Sequence, residues 1–93
     1  MNYLFNIGLN DKTELRQLFS TDYYINTIGN FCPDCTITQA TGFYKGMREN
    51  SLKVEVFDIT EEKAEELAVT FRDVFNQECV VKTNLTTNNT VFV

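Results

Sequence analysis

Two periods of apolar residues run through this chain. Leu52, Val54 and Val56 alternate with Lys53 and Glu55, the period of two that marks a half-buried strand. Ala64, Leu67, Ala68, Phe71 and Phe75 fall at three- and four-residue spacing, which paints one apolar stripe along a helix. Thr60 stands before that stripe as an N-cap. Glu61 and Glu62 occupy the first turn, where negative charge meets the positive end of the helix dipole, worth ~0.3–1 kcal/mol each.

Weaker patterns fill in the rest. Tyr3 to Leu9 reads as a first strand, closed by Gly8, Asn10 and Asp11. Ser20-Thr21-Asp22 offers capping oxygens, and Tyr24, Ile25, Ile28 and Phe31 follow at helical spacing. Gly29-Asn30 is a stop signal, so a helix is expected over Thr21 to Ile28. Thr13 to Phe19 reads as either a helical turn or an ordered loop. After Pro33, Thr36 to Tyr44 is β-prone, with Gly42 as a bulge candidate, and Lys45 to Asn50 reads as a hairpin loop leading into the Leu52–Val56 strand. Glu78 to Leu85 is a further strand, Asn88-Asn89 a turn, and Thr90 to Val93 a short last strand. The resulting order predicts an α+β fold, a ferredoxin-like βαββαβ sandwich with both helices on one face of an antiparallel sheet.

At 93 residues the chain is expected to form one domain over 1–93, and 43% hydrophobic residues, with eight Phe and four Tyr, suffice for a packed core. The longest apolar runs are three or four residues against the ~20 of a membrane helix, and the start lacks the pattern of a signal peptide. An odd count of three cysteines speaks against a secreted disulfide framework. A cytoplasmic protein is therefore expected, with no membrane partner. The net charge of −5 is concentrated, because Asp58, Glu61, Glu62, Glu65 and Glu66 against Lys63 supply −4 of it. Nucleic acid is a poor direct ligand for a chain without a basic face.

Candidate chemistry is sparse. Cys32-Pro33-Asp34-Cys35 has CxxC spacing, yet the loop follows a predicted helix and precedes a β-prone run, whereas an activated thiol belongs at a helix N-terminus. With Cys79 there are three cysteines and no histidine, one ligand short of a structural zinc site, so no metal and no cofactor are expected. The missing imidazole also removes Ser-His and Cys-His pairs. Glu61/Glu65 and Glu62/Glu66 lie at i, i+4 and read as a solvated acidic face that could dock on a basic surface. Tyr44, Arg48 and Glu49 cluster in the hairpin as loop candidates for contacting a partner or ligand. Phe43 and Phe57 are candidates for the sheet face that the helices leave open, which a second copy of the chain would cover.

Gly8-Leu9, Phe31-x-Pro33-Asp34-x-Thr36, Gly42-x-Tyr44, Arg48-Glu49-x-Ser51 and Phe75-x-Gln77-Glu78-x-Val80 follow one another along nearly the whole chain. In this order they resemble a family of small bacterial and mobile-element (phage) proteins known as a domain of unknown function. The resemblance implies the ferredoxin-like fold and no activity. Cys35 stands where such relatives carry glycine, which implies a structural loop that acquired its thiols secondarily. The reading that follows is a non-enzymatic interaction domain, a homodimer whose acidic surface binds a protein partner with a basic surface. A phage or mobile-element inhibitor of a host defence nucleic-acid enzyme fits it. The alternatives are a small-ligand or nucleotide sensor or sponge at a subunit interface, and a thiol redox protein using Cys32 and Cys35.

Overall fold

The computed structural model describes residues 1–10 and 16–93, the side chain of Tyr44 excepted. Its elements are β1 (Tyr3–Gly8), α1 (Thr21–Phe31), β2 (Cys35–Tyr44), β3 (Met47–Val56), α2 (Glu61–Val74), β4 (Val81–Asn84) and β5 (Thr90–Phe92). The five strands form one antiparallel sheet in the order β2-β3-β1-β4-β5, the ferredoxin-like arrangement with β5 added beside β4.

Alternation decides what each strand presents. Phe5 and Ile7 of β1 stand opposite Val54 and Leu52 of β3, and all four are fully buried under the helices. The helices supply the matching apolar surface: Tyr24 and Ile28 from α1, and Ala64, Leu67, Ala68 and Phe71 from α2. Phe71 meets the Phe5 ring edge-on at 5.7 Å, and Tyr24 packs on Phe75 at 4.7 Å. The Tyr24 hydroxyl donates to the Leu9 carbonyl at 2.9 Å, so the one polar atom of that buried ring is satisfied. Both helices start on capping side chains. Ser20 Oγ accepts from the Tyr23 amide, and Thr60 Oγ1 from the Lys63 amide.

Three sequence expectations are corrected. The first helix runs past Gly29-Asn30 to Phe31, because Phe31 reaches the Phe71 ring at 6.5 Å and that contact outweighs two poor helix formers. Its end comes at Cys32, whose amide donates to the Ile28 carbonyl, one residue before Pro33. Gly42 makes no bulge, since the ladder from Cys35↔Val56 to Tyr44↔Met47 is unbroken. Arg48 and Glu49 are strand residues rather than loop residues: Lys45 and Gly46 take φ of 51° and 77° and close a two-residue turn, so pairing starts at Met47. Of the 13–19 segment, residues 13–15 lie outside the described residues, and Gln17 bridges to Asn10.

Candidate functional site

Residues alternating with the core set face away from the helices: Asn6 and Gly8 on β1, Glu49, Ser51 and Lys53 on β3, Gly42 on β2 and Val81 on β4. They line a cavity of about 330 Å³, closed at its sides by Phe43 and Met47 from the hairpin end and by Gln77, Glu78 and Cys79 after α2. That volume lies at the lower end of small-molecule sites. Sheet order explains the assembly, because β1 lies between β3 and β4 and brings four distant segments together.

The walls are built by local contacts. Asn76 takes φ 53° just beyond α2 and turns the chain back, with the Gln77 amide donating to the Arg72 carbonyl. Gln77 is buried, and its Nε2 donates to the carbonyls of Asn10 and Phe75, tying this wall to the end of β1. Glu78 pairs with Lys45 of the hairpin turn at 3.6 Å, both side chains being exposed, so the pair contributes little energy. Ser51 forms part of the floor, with its hydroxyl donating to the Ala40 carbonyl at 3.4 Å. Glu49 is the cavity carboxylate whose titration burial perturbs. Its carboxyl group folds back over Gly8, and burial raises its pKa above the ordinary value. A half-buried carboxylate in an ordinary-sized pocket, with Lys53 two strand pleats away on the same face, suits a small ligand that carries both a cation and an anion.

The other sequence candidates fall elsewhere. Asp58, with φ 54°, precedes α2. Glu61 and Glu62 are exposed on its first turn, and Glu66 pairs with Lys63 at 3.6 Å. Glu65 is not simply solvated, since it binds Lys82 at 2.6 Å, and Lys82 is only 7% exposed beneath α2. Arg48 is exposed on β3, Tyr44 ends β2, Phe43 is 73% exposed at the cavity wall, and Phe57 is exposed beyond β3. Cys32 is buried, Cys35 opens β2, and neither is bridged. Burial pushes the Cys32 thiol up to about 11, helped by neighbouring Cys35 and opposed by Lys63, and burial also raises Cys35, aided by Asp34. Alkylation of Cys32 in the folded protein is accordingly expected to be negligible at pH 7 and to rise about tenfold per pH unit until pH approaches that value; fast labelling at neutral pH, read by mass spectrometry, would contradict this burial. Among the described residues no group of three or more His, Cys, Asp or Glu is placed to hold a metal ion. No helix among them is long and apolar enough to cross a membrane.

Of the cavity residues, sequence reasoning named Glu49 as a candidate, and for a loop that is in fact strand. It passed over Asn6, Lys53, Gln77 and Glu78 as functional groups. A signal existed: Gly8, Gly42, Glu49, Ser51 and Gln77-Glu78, spread over four of the five motifs of the resemblance, converge on this one cavity.

The model of one protein family, the S-Adenosylmethionine lyase family, matches residues 9–93. Comparison with curated proteins and with solved structures gives no match. The match overturns the expectation of a non-enzymatic interaction domain, along with the phage anti-defence inhibitor, the sensor or sponge and the thiol redox protein, because the family is one of enzymes. It also replaces the resemblance to a domain of unknown function. With residues 9–93 of 93 matched, this chain belongs to the S-adenosylmethionine lyase family.

Proposed function

We propose that the chain cleaves S-adenosylmethionine in the cavity on the helix-free face of its sheet, with Glu49 facing the cationic sulfur. The observation that carries this reading is the half-buried carboxylate of Glu49 inside a cavity of about 330 Å³ that also holds Lys53. A sulfonium cannot accept a hydrogen bond and is recognised by negative charge and by polarisable surface, which Glu49 and Met47 provide. Lys53 is the group we assign to the substrate's α-carboxylate, and Asn6 offers an amide to its polar edges.

A lyase breaks its bond without water or a redox partner. Two routes meet that condition at a sulfonium: removal of a β-proton with loss of the thioether, or displacement of the thioether by the substrate's own carboxylate. The first needs a strong base, and among the described residues the cavity offers carboxylates, a thiol and a lysine, in a chain with no histidine. We therefore favour the second. The carboxylate oxygen bonds to Cγ, the Cγ–S pair of electrons leaves with sulfur, and the products are a neutral thioether and a protonated amino-lactone. No proton moves. Opposite charges cancel along this path, so a partly water-free cavity helps it, and the protein's task is to hold the chain folded with oxygen near Cγ. We place the reaction in the cytoplasm, where the three thiols stay reduced.

Products formed in H₂¹⁸O-enriched D₂O test the route. The expected lactone, trapped before it opens, contains no solvent oxygen and no carbon-bound deuterium. Homoserine labelled with ¹⁸O at Cγ from the first turnover would mean hydrolysis and would overturn the reading.

A further inference from the structure

We propose that Gly8 is a positioning residue: the missing side chain at this point of β1 is the space into which the Glu49 carboxyl group folds, and it holds that group at the cavity instead of in solvent. The proposal rests on the reading that Glu49 faces the substrate. It starts from an apparent waste. Glycine inside a strand is destabilising relative to alanine, and β1 lies at the centre of the sheet. The backbone does not require it, because Gly46 is the glycine with positive φ and Gly8 is in ordinary strand geometry.

Space does require it. A Cβ built on Gly8 would meet the Glu49 carboxyl group, colliding with Oε1 and approaching Cδ at 3.0 Å and Oε2 at 3.3 Å. Its three nearest neighbours are thus the three atoms of one carboxyl group. The pairing geometry makes this reach natural. Gly8 stands opposite Ser51 on the helix-free face, and Glu49 is the next residue on that face of β3, one pleat beyond the end of β1. A methyl at position 8 would meet the far end of a flexible side chain, which moves at little cost. The substitution therefore separates two properties that active-site mutations usually mix: it leaves the fold alone and evicts the carboxylate.

Among the described residues, the charged and titratable groups around Glu49 are Lys53 on its own strand, Glu78 and Cys79 from the segment after α2, and Lys45 through its pair with Glu78. β1 and β2 contribute only uncharged cavity residues. The three heavy atoms nearest a Cβ at position 8 all belong to Glu49, so the readouts of the Gly8→Ala protein report on that residue.

The test compares the full-length wild type, G8A, E49Q and the double variant. G8A is expected to melt at or above the wild-type temperature and to lose about tenfold in kcat/KM for S-adenosylmethionine, mostly through KM. Added to E49Q, it is expected to cost less than twofold more, since Gly8 acts only through the carboxylate. In carboxyl-carbon NMR titrations, the Glu49 pKa is expected to be raised in the wild type and to return to the ordinary glutamate range in G8A. A wild-type kcat/KM for G8A beside an impaired E49Q overturns this inference and spares the proposed function. Wild-type activity in E49Q overturns the proposed role of Glu49, and the NMR titration then decides on Gly8 alone: an unchanged Glu49 pKa in G8A sinks the positioning role. A G8A melting temperature more than a few degrees below wild type locates the need for glycine in the fold and sinks it as well.

Discussion

Glu49→Gln is expected to lower kcat/KM for S-adenosylmethionine by about 100-fold while leaving the melting temperature within a few degrees of wild type. A hundredfold loss corresponds to about 2.7 kcal/mol, the scale of one charge-assisted contact in a partly desolvated site. Gln keeps the length and shape of the side chain and removes only its charge. Because the sulfonium loses charge as the bond breaks, Glu49 holds the ground state at least as firmly as the transition state, and the loss should fall mainly on KM. A related pH effect follows in sign. Only the ionised carboxylate attracts the substrate, and burial sets its pKa above the ordinary glutamate value. Affinity therefore declines on acidification earlier than for an exposed glutamate, and E49Q lacks that acidic limb. Wild-type KM and an unchanged pH profile in E49Q would place the cation elsewhere.

Phe71→Ala is expected to destabilise the protein by about 3–5 kcal/mol, a large share of the roughly 5–15 kcal/mol typical of a domain, and to lower the melting temperature on the order of 20 °C. Phe71 is fully buried where three elements meet. Its ring touches Phe5 of β1 at 5.7 Å, Phe31 of α1 at 6.5 Å and Phe75 at the end of α2 at 6.4 Å. Truncation loses the transfer energy of the ring and opens a cavity that three rigid neighbours cannot close. Urea unfolding reads the difference directly. A change below about 1 kcal/mol would mean that α2 is not packed on the sheet through this ring.

The regular elements were legible because one face of each is buried. Leu52, Val54 and Val56 gave strand β3, and the Ala64-to-Phe75 stripe gave α2, since burial imposes period on sequence. Legibility failed where both faces of an element are wet or where tertiary contacts decide. Met47 to Asn50 pairs with β2 at the projecting end of the hairpin and shows no alternation, so it reads as loop. The Lys45-Gly46 turn is tight although Lys is not a usual residue at positive φ. The extra turn of α1 depends on Phe31 meeting Phe71, a partner 40 residues away.

The site was harder still. Asn6, Glu49, Lys53 and Gln77 belong to three separate segments that become neighbours only through the strand order, and no local pattern encodes that order. The absence of histidine was given too much weight. It removes histidine-based relays, yet a substrate that carries its own nucleophile and its own leaving group asks the protein for shape and one well-placed charge. The acidic turn of α2 drew attention because its charges are adjacent in sequence, whereas Glu65 there is occupied with Lys82.

Amide chemical-shift mapping decides where the substrate goes. The full chain is titrated with an unreactive analogue of S-adenosylmethionine in which a carbon bearing a protonated amine replaces the sulfonium. Binding on the helix-free face predicts shifts at Gly8, Gly42, Glu49, Ser51, Lys53 and Val81, with the Glu61–Glu66 turn unmoved. Shifts confined to that turn, or none at the cavity with saturating analogue, would contradict it.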